Sequence, residues 1–83
     1  NDIRLIVLLW PHITAIEESQ PAVQRVRDLF TGEDVPVVDM SEYLRGKDPR
    51  GLVVNRFDAH PGIEAHRMAA EALYPLVAQT APR

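Results

Sequence analysis

Ile3-Arg4-Leu5-Ile6-Val7-Leu8-Leu9-Trp10-Pro11 is the stretch that decides the fold. It is almost continuously apolar and includes β-branched residues, and a proline closes it. That pattern predicts a strand buried on both faces, as in a parallel sheet, rather than the alternation of a half-exposed strand. The run is a strand's length, well short of the roughly 20 apolar residues of a membrane-crossing helix.

Residues 12–20 are mixed and polar and predict a loop or irregular turn. Pro21 suits the first turn of a helix with Ser19 or Gln20 near its cap, and Val23, Val26, Leu29 and Phe30 place that helix over 21–30. Gly32 is its expected stop. Val35-Pro36-Val37-Val38-Asp39 predicts a second short buried strand. Ser41 is expected to cap a short helical turn, Glu42 to Leu44, that Gly46 ends. Lys47 to Gly51 is turn chemistry, and Leu52-Val53-Val54 a brief extended segment. From Gly62 to about Gln79 a long helix is expected, with Ile63, His66, Ala70, Leu73 and Val77 on its apolar stripe. Pro75 should kink or shorten it.

This order predicts an α/β segment with two or three short parallel strands, right-handed crossovers and a long C-terminal helix. Two main helices cannot cover both faces of such a sheet. Residues 1–83 are therefore expected either to pair with more polypeptide or to form a marginal miniature unit. The start, Asn1-Asp2-Ile3, without an initiator Met or a basic leader, fits a chain beginning in mid-protein.

With 83 residues the chain makes one small domain at most, and such a domain buries only about 60% of its unfolded surface. At 46% hydrophobic and 25% charged residues it is globular. A net charge of −3 with interspersed signs argues against a nucleic-acid or anionic-membrane surface. No cysteine is present, which excludes disulfides, thiolate metal sites and a cysteine nucleophile.

The chemistry is concentrated in Phe57-Asp58-Ala59-His60-Pro61-Gly62. Residues i and i+2 of an extended segment point to one side, so Asp58 and His60 can enter the same pocket, and Pro61 biases His60 toward an extended conformation. The amino end of the following helix disfavours imidazolium, and a neutral imidazole is what a general base requires. In the alternative, Asp58 forms an Asx turn or caps the helix and His60 is a solvated loop residue. His66 either braces this loop through its backbone or is a core-edge histidine.

A metal site from Asp58, His60 and His66, with or without His12, lacks the familiar zinc spacing, and neither a metal nor a cofactor is expected. Asp39 ends the second strand, where doubly wound sheets place functional groups, but is read here as capping the turn that starts at Ser41. Trp10-Pro11-His12 ends the first strand at the same edge, with Trp10 read as packing. Glu17, Glu18, Arg25 and Arg27 are read as ordinary solvated charges. Ser19 and Ser41 sit in neither a Gly-x-Ser-x-Gly elbow nor a Gly-Asp-Ser turn, and no glycine-rich phosphate loop is present.

The run Asn55 to Leu73, with Asp58-Ala59-His60-Pro61 and His66, resembles the last sequence block of the SGNH/GDSL hydrolases (GDSL-like lipases and acylhydrolases). In bacterial members that block often has the form D-x-H-P-N-x-x-x-H before a small-residue helix. The upstream order of strand, helix, strand ending in Asp and short helix fits the same family, so the resemblance covers the chain as the C-terminal portion of such a domain. It implies a three-layer α/β/α, flavodoxin-like sheet and hydrolysis or transfer of acyl esters. It assigns the base to His60, the orienting acid to Asp58 and a supporting place to His66. Two positions depart from the pattern: the commoner Asp-x-x-His spacing would put the acid where Phe57 stands, and Gly62 replaces a frequent Asn. The family's Gly-Asp-Ser block, oxyanion glycine and oxyanion Asn have no counterpart in these residues. The resemblance therefore implies that the partner is the remainder of the same polypeptide, that the substrate is an acyl ester, and that the chain alone is catalytically silent. Nothing in it fixes localisation.

Overall fold

The computed structural model describes residues 4–80, and the expected strand start at Ile3 lies outside them. The first strand, β1, is Val7–Leu9, and the predicted helix follows as α1, Gln20–Thr31. Strand β2, Val37–Asp39, runs parallel to β1 with Val7 opposite Val37 and Leu9 opposite Asp39. Pro36 stands just outside β2, where its missing N–H costs no ladder bond, and its carbonyl accepts the Val7 N–H at 2.9 Å. Both strands are shorter than the apolar runs that announce them, because each has one neighbour and pairing ends where that neighbour ends. For the same reason β1 is only half-buried, against the expectation of burial on both faces.

The short helix α2 is Ser41–Leu44. Ser41 is its first residue, not its cap; Asp39 Oδ1 accepts the Ser41 N–H at 2.9 Å, as the reading of Asp39 anticipated. The same carboxylate meets Arg27 Nη1 at 3.2 Å through its other oxygen, so Arg27 is no ordinary solvated charge. It spans α1 and β2 and satisfies a buried acid. Ser41 Oγ accepts from Gln20 Nε2 at 3.0 Å, which ties α2 back to the start of α1.

The third extended segment departs from the expected parallel arrangement. Val53–Asn55 forms β3 and pairs antiparallel with β4, Asp58–Pro61, in a sheet separate from β1 and β2. Among the described residues, only β1 and β2 are therefore parallel. The long helix α3, Ile63–Thr80, follows β4 and packs on this hairpin, while α1 packs on the parallel pair. One apolar cluster joins the two halves: Met40 and Leu44 have no exposed surface, and Ile13, Val38, Leu52, Ala65 and Ala69 complete it.

α3 faces this cluster with a different stripe from the one predicted. Ala65, Ala69 and, partly, Met68, Ala72, Leu73 and Leu76 turn inward, whereas Ile63 is 91% exposed and His66 and Ala70 also face out. Leu73 is common to both stripes, while Ala65 and Ala69 take the most buried places where the helix comes close to the hairpin. A Cβ on Gly62, just before α3, would stand 2.9 Å from the Val53 carbonyl oxygen. Small side chains are what such an approach admits. Pro75 does not shorten α3, which runs on to Thr80, and it stands on the exposed side of the helix.

Two substitutions separate the stripes. Ile63→Ser is expected to change the unfolding free energy by no more than about 0.5 kcal/mol. Ala65→Leu, which adds volume where no space exists, should cost about 1–3 kcal/mol. Urea unfolding followed by circular dichroism reads both.

Candidate functional site

The hairpin that carries Asp58 and His60 is built without the glycine of a tight turn. Asn55 Oδ1 instead accepts the Phe57 N–H at 2.8 Å, an Asx turn that reverses the chain over Arg56-Phe57. The Arg56 guanidinium lies 4.6 Å from the centre of the Phe57 ring at the exposed tip. Missing Asn-Gly or Asp-Gly chemistry is why sequence reasoning placed a loop here; Asn55 after two valines was the available signal.

The strands are paired at Val53 with Pro61 and at Asn55 with Asp58. One residue, Val54, therefore faces two, Ala59 and His60, which makes a β-bulge. Bulges bend a strand and re-aim its side chains, and they leave backbone groups outside the ladder. The His60 N–H is satisfied locally, by Asp58 Oδ1 at 3.0 Å. That same oxygen lies 2.5 Å from His60 Nδ1. The Asx-type bond and the Asp–His pair, alternatives in the sequence, thus occur together on one atom. Because an ionised carboxylate only accepts, Nδ1 carries the proton, and in the neutral imidazole Nε2 is the nitrogen with the free lone pair.

Both groups lie near water, with 86% of the His60 side chain and 44% of the Asp58 side chain exposed. The Asp58 carboxyl is held below the usual carboxylate range, first by the His60 backbone N–H and then by its imidazole.

His66, on the first turn of α3, places Nδ1 2.9 Å from the Gly62 carbonyl oxygen, and its ring lies 5.8 Å from that of Trp10 at 59°. Trp10, at the carboxyl end of β1, also packs against the core, so it is both a packing residue and a wall of the site. A cleft of about 580 Å³ brings together Trp10, His12, Phe57, Asp58, His60 and His66. It opens at the carboxyl end of a parallel strand, the usual place for ligand crevices in α/β sheets. Sequence reasoning noted Trp10 and His12 at this edge but passed over Phe57 as a wall.

A second cleft, about 630 Å³, lies between α2 and α3 and contains no imidazole. Its Arg67 is already paired with Glu64 and with Glu71, so the first cleft is the candidate site.

Neither serine reaches that cleft. Ser41 is buried at the start of α2, and Ser19 Oγ donates to the Ile16 carbonyl at 2.9 Å while accepting the His12 N–H. Among the described residues, no cluster of three His, Asp or Glu side chains could hold a metal ion, and no helix is long and apolar enough to cross a membrane. No protein-family model matches the chain, and neither a curated protein nor a solved structure is found similar to it.

The doubled use of Asp58 Oδ1 can be taken apart. Asp58→Asn keeps an oxygen for the His60 N–H but removes the charge, so the His60 amide resonance should hardly move while the imidazole resonances do; Asp58→Ala should move both. In the parent chain, Asp58 is more acidic folded than unfolded. Its stabilising contribution is therefore complete above its unfolded pKa, about 3.9, and disappears as pH falls through the lower folded value. An acid titration followed by NMR should show the His60 imidazole resonances shifting with Asp58 protonation in that range, and no such step in Asp58→Asn.

Proposed function

We propose that these residues supply the base half of a Ser-His-Asp ester hydrolase of the SGNH/GDSL type, with His60 as general base and Asp58 as its orienting acid. The contact of 2.5 Å between Asp58 Oδ1 and His60 Nδ1, made beside an open cleft, is the observation that carries this reading. A carboxylate at Nδ1 fixes the tautomer and stabilises the imidazolium formed during reaction. In this reading the parallel pair with its helices belongs to a larger three-layer α/β/α, flavodoxin-like sheet, and residues 1–83 are the C-terminal part of that domain.

In the complete site, Nε2 takes the serine hydroxyl proton as Oγ bonds to the ester carbonyl carbon. Collapse of the tetrahedral intermediate breaks the ester C–O bond, and the proton passes from Nε2 to the departing alkoxide, which leaves as alcohol. Water then attacks the acyl-enzyme by the same route and frees the acid. The nucleophile and the oxyanion donors come from polypeptide outside these residues, and without them the pair gives little acceleration. An O-acyltransferase would use the same groups and admit a second alcohol in place of water.

One observation favours a second reading, a non-catalytic module that binds carbohydrate or protein. No hydroxyl or thiol side chain lines the cleft among the described residues, whereas Trp10 and Phe57 offer it apolar rings. A Gly-Asp-Ser turn in the polypeptide preceding Asn1 decides between the two.

In the polypeptide that contains these residues, His60→Ala is expected to lower hydrolysis of p-nitrophenyl acetate by roughly 10²–10⁴-fold. The 83 residues alone should show no His60-dependent hydrolysis. Full activity after His60→Ala would sink the hydrolase reading, and His60-dependent turnover by the chain alone would sink the half-site reading.

A further inference from the structure

The bulge that carries His60 interrupts the ladder of its own sheet. No ladder pair falls on His60 itself, because Ala59 and His60 together face Val54. An imidazole with one working position needs its segment fixed from elsewhere. His66 stands where such a brace is required. Its Nδ1 must carry the proton, since the Gly62 carbonyl oxygen 2.9 Å away can only accept. Its ring meets Trp10 at a tilted-ring distance of 5.8 Å, and Trp10 is anchored in the core at the end of β1. Gly62 follows β4 directly, and its N–H donates to the Leu52 carbonyl at 2.8 Å. An unbroken set of contacts thus runs from the end of β1 through Trp10 and His66 to Gly62, the residue that follows the bulged strand.

We propose that His66 is a positioning residue, a clasp joining Trp10 at the carboxyl end of β1 to the Gly62 carbonyl, and that this clasp holds the Asp58–His60 bulge in one place beside the cleft. The inference rests on the reading of His60 as base. His66 acts through His60 and touches none of the reacting atoms. Its imidazole serves twice, through the Nδ1–H and through the ring face.

The test is the tautomeric state of His60 in the full chain, read from its ring ¹⁵N shifts above the imidazole titration range. Wild type should show the Nδ1–H form for both His60 and His66. His66→Phe keeps a ring beside Trp10 but loses the bond to Gly62. Trp10→Leu keeps apolar bulk but loses the ring contact. In each, His60 is expected to give signals of both tautomers, as Asp58→Ala should also produce. His66 is exposed and its replacement empties no core; the amide spectrum verifies the fold of each variant, and Trp10→Leu stands in should His66→Phe not fold. A His60 that stays in the Nδ1–H form in both clasp variants, yet loses it in Asp58→Ala, overturns the clasp and leaves the proposed function standing. A wild-type His60 without the Nδ1–H form overturns both.

Discussion

The close passage of Gly62 beside the Val53 carbonyl is the constraint on which the rest of the site depends. An added Cβ would meet that oxygen at 2.9 Å and the carbonyl carbon at 3.1 Å, both backbone atoms that cannot swing aside. Because the backbone can approach so nearly, Gly62 donates to Leu52, and its carbonyl receives both the backbone N–H and the Nδ1 of His66. One residue thereby closes the hairpin, starts the long helix and fixes the angle between them. The alanine face of α3 follows from the same approach, since larger inward side chains would hold the helix off.

The Asp58–His60 pair contributes geometry more than stability. An exposed ion pair or hydrogen bond of this kind is worth little, because water competes for both partners. Its effect is to choose which imidazole nitrogen carries a proton, and that choice survives in water as long as the bulge holds the two side chains together. A buried, water-excluded setting would make the same contact far stronger. The buried polar contacts of the chain lie elsewhere, where Asp39 joins Arg27 to the start of α2, and there the result is structure: two helices and a strand locked to one carboxylate.

Legibility differed sharply between elements. α1 was plain from its proline and its apolar spacing, because both signals are local; Gly32 follows its last residue as expected, but as a right-handed C-cap, and the left-handed residue is Asp34. The two parallel strands were plain as apolar runs, but their lengths were not, since a strand lasts only as far as its neighbour. The hairpin was missed because its reversal relies on the side chain of Asn55, and because Asp58-Ala59-His60-Pro61 looks like a loop when the bulge absorbs its irregularity. The stripe of α3 was misplaced because periodicity shows which residues share a face, not how near the opposing backbone comes. Pro75 does not end α3, which continues to Thr80, because it lies on the side of the helix that faces water.

For the candidate site, the sequence by itself determined that Asp58 and His60 fall two residues apart before a helix, that no cysteine chemistry exists, and that neither serine has a nucleophile's surroundings. These are matters of residue type and spacing along one segment. Only the tertiary structure decided that a single carboxylate oxygen serves both the His60 backbone and its ring, that Trp10 reaches His66 from a strand more than fifty residues away, and that His12 and Phe57 share their cleft. The physical reason is that such relations depend on the bulge, on the approach allowed by Gly62 and on the contact of Trp10 with His66 of α3. Each of these is set by contacts between distant parts of the chain.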